Sequence, residues 1–348
     1  MNAKSWLALC LMAVVPPLLA APPVDALSRP ATQSAQALHG VMQAITRAGD
    51  RLVAVGERGI VLLSDDNGIS WRQVSVPVRS TLTGVQFVGQ QGWAVGHAGV
   101  VLHSSDGGEH WALQLDGRSL AAVELNAAQR AGDERRLAAA RRLTSDGADK
   151  PLLALSFTDA LNGIVVGAYG LALITHDGGR SWSSLMGSLP NPQGLHLYAV
   201  GQTGGQVYVA GEQGLFLRSL DHGEHFEAVD TPYEGSYFTL AVQRDGAVLV
   251  AGLRGKVFRV LNDGRSFAEV VNPLPISIND MRFVGQQLLL VNQAGGVLQA
   301  SVDRTHLAPL ALPPGAPLTA IAQAADGALV GVGFAGPARL ATPLNAVE

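Results

Sequence analysis

A Gly-x-x-Gly pair between two apolar runs recurs seven times along this chain of 348 residues. The copies lie at residues 56–59, 96–99, 167–170, 211–214 and 252–255, in degenerate form at 292–295, and again at 333–336. Their last residues are 40, 71, 44, 41, 40 and 41 positions apart. A period near 40 is typical of four-stranded propeller blades, which bury a core only when they stack on their neighbours. The spacing therefore predicts an all-β, seven-bladed β-propeller with one insertion.

Residues 82–115 show the repeating unit most clearly. Four short runs rich in β-branched or aromatic residues lie at 82–87, 92–96, 99–104 and 111–115, each bounded by turn formers. Such runs predict antiparallel strands, with the innermost strand first in sequence. The Gly-x-x-Gly pair then joins the second and third strands, and we expect its glycines to supply the positive φ of a tight hairpin.

The turn between the third and fourth strands has its own motif, Ser/Thr-x-Asp-x-Gly-x-x-Trp, known as the Asp box. It is intact at residues 64–71, 104–111 and 175–182, has Phe for Trp at 219–226, and is weaker at 260–267 and 300–307. The aspartate is expected to accept backbone N–H groups within the turn, and the aromatic residue to pack between sheets. We interpret these repeated aspartates as scaffold elements and not as catalytic groups.

The two ends of the chain carry further predictions. Residues 1–26 read as a secretory signal peptide, with a membrane anchor as the alternative, so the protein is expected to be periplasmic or secreted. Cys10, the single cysteine, lies in that segment, and residues 27–348, the propeller, contain no thiol. The last repeat has no Asp box and no fourth strand. We therefore expect the N-terminal segment, which contains residues 31–36, to supply the outer strand of blade seven and close the ring.

The insertion, at about residues 116–150, lies between blades two and three. Apolar residues recur near helical spacing, and Gly132 and Asp133 divide the segment into two short helices with Asp133 as an N-cap. Other positions hold arginine, at Arg130, Arg135, Arg136, Arg141 and Arg142. The hairpin either packs on the ring with a solvated arginine face or serves as a partner-docking arm.

Residues 56–71 and 96–111, with the signal sequence, the seven blades and the Asp boxes, resemble the photosystem II stability/assembly factor family. The resemblance implies a non-enzymatic secreted scaffold that assists assembly of a membrane complex, with a protein client, no cofactor and at most a peripheral association with the membrane. We expect a monomer. The alternative is a sialidase-like or other glycoside hydrolase, because sialidases use the same repeat. The chain lacks the Arg-Ile-Pro segment that usually supplies the first arginine of a sialidase site.

Other functional classes fit the sequence poorly. A net charge of −4 and the lack of a basic stripe argue against nucleic acid as a partner. His222 and His225 have metal-like spacing but belong to an Asp-box turn, so we predict no metal site there. Residues 331–336 match a dinucleotide fingerprint, yet Pro337 and a strand follow where a helix is required.

The interiors of the Gly-x-x-Gly pairs are the candidate binding site. A propeller brings these turns to one face, and the interior pair differs from blade to blade, as expected where a repeat scaffold encodes recognition. The predicted protein-binding residues are Glu57, Arg58, His97, Tyr169, Glu212, Gln213, Arg254 and Gln293. Arg58, Tyr169 and Arg254 are preferred because Arg and Tyr dominate binding hot spots. Ordinary solvated turn residues remain the alternative.

Overall fold

The computed structural model describes residues 26–243, 246–312 and 315–341. They form seven antiparallel sheets in which strands neighbour each other in chain order, as a meander does. The first six sheets have four strands and the seventh has three. The predicted all-β, seven-bladed propeller is confirmed.

The strands are named β1 to β27 in chain order and grouped by blade. Blade one holds β1 (Met42–Ala48), β2 (Arg51–Gly56), β3 (Val61–Ser64) and β4 (Arg72–Gln73); blade two holds β5 (Leu82–Val88), β6 (Gln91–Gly96), β7 (Val101–Ser104) and β8 (Ala112–Leu115); blade three holds β9 (Leu152–Phe157), β10 (Gly163–Gly167), β11 (Ala172–Thr175) and β12 (Ser183–Ser184); blade four holds β13 (Leu197–Thr203), β14 (Gln206–Gly211), β15 (Phe216–Ser219) and β16 (Glu227–Ala228). Blade five holds β17 (Tyr237–Val242), β18 (Val248–Gly252), β19 (Val257–Leu261) and β20 (Ser266–Glu269); blade six holds β21 (Ile278–Val284), β22 (Gln287–Asn292), β23 (Val297–Ala300) and β24 (Leu307–Pro309); blade seven holds β25 (Leu318–Gln323), β26 (Leu329–Gly333) and β27 (Gly336–Ala341).

The first strand of each blade lines the central axis, and the second strand is buried almost throughout. Second strands are short apolar runs because both of their faces pack against neighbouring blades. The cores therefore lie between blades, as in the cluster where Val53 and Leu63 of blade one meet Val85 and Leu102 of blade two.

The ring closes by contact between blades seven and one. Thr319 Oγ1 of β25 donates to the Met42 carbonyl of β1 at 2.7 Å. Arg339 Nη1 of β27 donates to the Asn67 carbonyl at 2.6 Å. An apolar cluster shared by the two sheets, which includes Ile45 and Val332, completes the junction. Closure thus uses the same interface as any other pair of blades.

The N-terminal segment does not form the predicted fourth strand of blade seven. Within the described residues, residues 31–36 run beside the stretch after β4, where the Ala31 N–H donates to the Val76 carbonyl at 3.0 Å. A short 3₁₀ helix, Ala35–His39, then leads the chain to β1 and passes close to the start of β27. Gln33 Nε2 also donates to the Val74 carbonyl at 3.0 Å, and Ala31 packs in the apolar cluster that contains Val76 and Val78, so the N-terminal segment binds blade one. Residues 1–25 of the predicted signal peptide lie outside the described residues.

The Asp-box turns have the predicted geometry, shown by blade two. The Ser104 hydroxyl donates to Asp106 at 2.9 Å and accepts the Gly108 N–H at 2.9 Å, and the His110 N–H donates to Asp106 at 3.0 Å. Trp111 Nε1 donates to the Gly108 carbonyl at 2.9 Å. Although burial acts to raise it, the hydrogen bonds from His110 and Ser104 hold the pKa of Asp106 at about 2. The carboxylate therefore stabilises the turn as an anion.

Asp106→Asn is expected to lower the free energy of unfolding by roughly 1–3 kcal/mol, because the turn loses charge-assisted hydrogen bonds. The folded-state pKa is depressed, so the advantage of wild type over the variant is present above about pH 4 and disappears as the pH falls towards the folded value. Urea unfolding at several pH values measures this. Asp230→Asn, at an exposed position with no such turn, is the control. A pH-independent difference would contradict the assigned role.

The insertion forms two α-helices, α1 (Gly117–Ala131) and α2 (Glu134–Asp146), as predicted. Asp116 caps α1 by accepting the Ser119 N–H at 2.9 Å, and Asp133 caps α2 by accepting the Arg136 N–H at 3.0 Å. Gly132, at φ 67°, makes the turn between them. Among the described residues, no helix has the length and apolar character needed to cross a membrane.

Candidate functional site: the Gly-x-x-Gly face

The Gly-x-x-Gly turns lie at the end of the ring where the inner strands begin. The register pairs the first glycine of each turn with the first residue of the inner strand, as in Gly56 with Met42 and Gly96 with Leu82. We call this end of the ring the Gly-x-x-Gly face. It also receives the connections between blades, including the base of the helical insertion, where Gly117 contacts the turn of blade two.

The conformation of these turns differs from the predicted one, in which the glycines of each pair have positive φ. The first glycine is extended, with Gly56 at φ −163° and Gly96 at φ −173°. The second glycine has positive φ, and so does the interior residue before it: Arg58 at 52°, Tyr169 at 57° and Arg254 at 56°. Non-glycine residues rarely adopt this left-handed conformation, so the turn presents each of these side chains in a constrained direction.

The predicted site residues fall into two groups. Arg58, His97, Tyr169, Gln213, Arg254 and Gln293 are exposed, whereas Glu57 and Glu212 are half-buried. The Glu57 carboxylate accepts the Val41 N–H at 3.1 Å, and the Glu212 carboxylate accepts the His196 N–H at 2.8 Å. These two glutamates hold the strand that enters the blade, so their first role is structural.

An aromatic ladder crosses this face from blade three to blade five, and we define it as Tyr169, His196, Tyr198 and Phe238. Ring centroids are 4.8 Å apart from Tyr169 to His196, 6.1 Å from His196 to Tyr198, and 5.4 Å from Tyr198 to Phe238. The Tyr169 ring is 57% exposed, and Lys150 Nζ lies 5.4 Å from its centroid. Exposed aromatic rings with a nearby cation are typical of protein-binding surfaces.

Sequence analysis identified Tyr169 but missed the other three members of the ladder. Each inner strand carries a β-bulge at its second residue, which turns that side chain towards the axis. The seven bulged residues are Gln43, Thr83, Leu153, Tyr198, Phe238, Asn279 and Thr319. Their position one residue after the start of each inner strand is the signal that could have found Tyr198 and Phe238, whereas His196 precedes β13 and has no such signal.

The bulged residues surround the mouth of a central channel with a cavity of about 710 Å³. Its wall is formed by the inner strands of all seven blades, and its described charged residues are Asp280 and Arg282. These two form an ion pair at 3.2 Å, and Asp280 also accepts the Ile321 N–H at 3.3 Å. The channel therefore has a largely neutral polar wall with its charges already paired.

The surroundings of Tyr198 in the ladder make it a poor nucleophile. Tyr198 Oη lies 3.4 Å from Glu212. Burial, with the Glu212 charge as a smaller cause, raises the pKa of Tyr198. A raised pKa keeps the phenol protonated, whereas a sialidase nucleophile must lose its proton.

One described group of side chains could converge on a metal ion, namely Asp221, Glu224 and His225, whose ligand atoms lie within 4.8 Å of one another. It belongs to the Asp-box turn of blade four. Asp221 already accepts the Ser219 hydroxyl at 2.6 Å and approaches His225 Nδ1 at 2.7 Å. Turn hydrogen bonds therefore explain the cluster.

Comparison with known proteins gives a consistent result. A sequence model of the family described as photosynthesis system II assembly factor YCF48 matches residues 35–125 and 142–282. The chain is 30% identical over 90 residues to the photosystem II assembly lipoprotein Ycf48 of Synechococcus sp. (strain CC9902). That alignment covers 25% of this chain and 27% of the relative, so it spans about a quarter of the relative's length.

Solved structures agree in fold. YCF48 from Cyanidioschyzon merolae is similar with a TM-score of 0.65 at 17% identity, covering 88% of this chain and 97% of that one. A structure described as YCF48 bound to D1 peptide is similar with a TM-score of 0.61 at 13% identity, covering 89% and 94%. The WD40 propeller domain of Doa1 reaches 0.62 at 12% identity, covering 90% and 95%. At such identities the likeness concerns the propeller alone.

Proposed function

The chain belongs to the photosystem II assembly factor Ycf48 family, and from this we propose that it is a non-enzymatic scaffold that binds a protein client on the Gly-x-x-Gly face. The client we propose is an extended segment of a membrane-complex subunit. A relative whose solved structure is described as bound to D1 peptide supports this kind of partner. The predicted signal sequence supports a periplasmic or secreted location.

The aromatic ladder is the observation that carries the proposal. It joins an exposed turn residue, Tyr169, to two bulged residues at the channel mouth, Tyr198 and Phe238. Arg254 extends from the turn of blade five, the blade that contributes Phe238, and Arg58 extends from the turn of blade one on the same face. Neither arginine forms an ion pair within the described parts of the chain. Aromatic and arginine side chains exposed on one face supply the contacts that dominate protein interfaces.

The acidic side chains that the repeat places at its turns have structural roles, which supports a non-enzymatic function. Glu57 and Glu212 bind backbone N–H groups, and the Asp-box aspartates stabilise turns. A glycoside hydrolase needs two carboxyl groups that flank a bond, or a tyrosine that ionises readily. Tyr198 of the ladder has a raised pKa, and the neighbouring Glu212 carboxylate accepts a backbone N–H.

Client capture tests the proposal. Arg58→Asn combined with Arg254→Asn is expected to weaken capture from a solubilised envelope extract by more than about thirty-fold, because a single arginine hot spot contributes on the order of 2 kcal/mol, which alone corresponds to about thirty-fold. Asparagine is chosen because it adopts the positive φ of both positions more readily than most other non-glycine residues. The melting temperature should therefore stay close to that of wild type.

Arg180→Asn combined with Arg265→Asn is the matched control, since it removes the same charge from Asp-box turns at the opposite end of the ring. Tyr169→Asn should weaken capture as the arginine variant does. Capture that is equal in all three variants would place the client elsewhere on the molecule. Turnover of a glycoside by the purified protein would overturn the non-enzymatic role.

A further inference from the structure

We propose that the helical hairpin α1–α2 binds an anionic lipid bilayer surface through four arginines, Arg130, Arg135, Arg141 and Arg142. The family model skips residues 126–141, the middle of the hairpin, so Arg130, Arg135 and Arg141 lie outside the matched segments. Client binding as proposed above takes place on the turns and the ladder, so it does not account for this arm.

The hairpin is held firmly on blade three. Arg136 Nε and Nη2 donate to the two Glu124 oxygens at 2.8 and 2.9 Å, and the Ser184 hydroxyl of β12 donates to the same carboxylate. Glu124 is 3% exposed. Ala140 and Leu143 bury the inner side of α2. A bidentate, buried pair of this kind fixes the orientation of both helices relative to the ring.

The four arginines lie away from that anchor. At 3.6 residues per turn, Arg135 and Arg142 share one row of α2 and Arg141 lies on the other flank, all on the half opposite Ala140 and Leu143. Arg130 lies in the last turn of α1. All four are exposed, and none forms an ion pair with another described residue.

The remaining charges of the hairpin do not neutralise this surface. Asp133 and Glu134, at the start of α2, are the acidic residues exposed near the arginines, which leaves two negative charges against four positive ones. Asp133 is engaged as the N-cap and Asp146 is paired with Lys150 at 2.9 Å. The outer surface of the hairpin therefore carries a net positive charge on a protein whose total is −4. Its partner must be anionic.

A bilayer surface fits this arm better than an acidic protein does. Within the described parts of α1 and α2, no large apolar side chain is exposed, and the exposed residues between Arg136 and Arg141 are Ala138 and Ala139. Protein interfaces surround arginine with aromatic and apolar side chains, whereas headgroup binding needs only positive charge near the surface. The missing apolar anchor also means that the helices rest on the headgroups and do not insert.

The position of the arm gives this contact a consequence. The base of α1 contacts the turn of blade two, so the arm begins at the end of the ring that carries the proposed client site. Contact with a bilayer would hold that face towards the membrane in which the client's complex resides. The inference thus extends the proposed function but is tested separately from it.

Vesicle co-sedimentation with the full chain tests the inference. Binding is expected to vesicles of phosphatidylcholine with about 30 mol% phosphatidylglycerol and to be absent with phosphatidylcholine alone, since each arginine near an anionic surface gains about fivefold in partitioning. Raising NaCl from about 0.1 M to about 1 M should abolish it because screening shortens the range of the interaction. Arg135→Gln with Arg142→Gln should lower partitioning by on the order of twentyfold.

The control is Arg180→Gln with Arg265→Gln, which removes the same charge from the opposite end of the ring and should leave partitioning unchanged. Glutamine keeps the helix propensity of arginine, so helicity by circular dichroism should match wild type. Equal loss in both double variants, or no wild-type binding to the anionic vesicles, would overturn the inference. Client capture by Arg135→Gln/Arg142→Gln from a detergent extract should stay normal, which separates this result from failure of the proposed function.

Discussion

Replacing Gly96 by alanine is expected to destabilise the propeller by about 3 kcal/mol or more, although its backbone is extended and open to any residue. A Cβ at this position would overlap the Thr81 carbonyl oxygen and crowd the Leu82 Cα. Both contacts are backbone atoms of the strand that enters the same blade. Relief therefore requires a shift of the inner strand and not merely a new rotamer.

Gly89→Ala is the matched control in the same blade. Gly89 has φ +61°, and no atom would lie within 4 Å of an added Cβ. That substitution costs only the left-handed backbone of alanine, about 1–2 kcal/mol. In urea unfolding, the free energy of unfolding of Gly96→Ala should be well below that of Gly89→Ala. Equal stability would show that positive φ, and not close approach, is what the repeat demands of glycine.

The same contrast shows how far the sequence predicted the structure. The period of the repeat and the turn chemistry were sufficient for seven blades, because each Asp box and each hairpin is specified locally. The predicted role of the first glycine, to supply a positive φ, was wrong. Gly56 and Gly96 are required because the backbone at the start of the inner strand lies too close for a Cβ atom. Such a contact leaves no local sequence pattern beyond the glycine itself.

The closure of the ring illustrates a second limit. The absence of an Asp box after β27 indicated an open edge, and the nearest free segment was assigned to it. In the structure, Ala31 lies in the cluster that contains Val76 and Val78, next to blade one. Whether the N-terminal segment packs on the edge of blade one or of blade seven depends on tertiary packing. The periodicity of that segment alone does not encode this choice.

The candidate site was partly predictable for a related reason. Tyr169 and Arg254 stand out because the motif around them is fixed while they vary. Tyr198 and Phe238 lie inside strands, where aromatic residues are ordinary, and only the β-bulge directs them to the channel mouth. The bulge follows from strand pairing, so it becomes visible with the sheet.

Glu124→Gln is expected to weaken the docking of the helical hairpin by about 3 kcal/mol, the scale for removing one partner of a buried ion pair. Arg136, whose side chain is 20% exposed, would lose both of its carboxylate contacts while its charge remains. Hydrogen exchange should then show faster amide exchange in α1 and α2 while the amides of blades five to seven keep their protection, because the hairpin can open without the ring.

The double variant Glu124→Gln/Arg136→Met distinguishes two causes of the weakened docking, an unpaired guanidinium charge and the loss of a hydrogen-bond contact. If the unpaired guanidinium causes the damage, the second change removes that charge and restores much of the protection lost in the single variant. If Glu124 acts chiefly through the Ser184 hydroxyl, the double variant is no better than the single one. Restoration would also leave Arg130, Arg135, Arg141 and Arg142 on an ordered hairpin without its native pair. Vesicle binding should therefore recover with the helices, since it depends on where these four side chains are held.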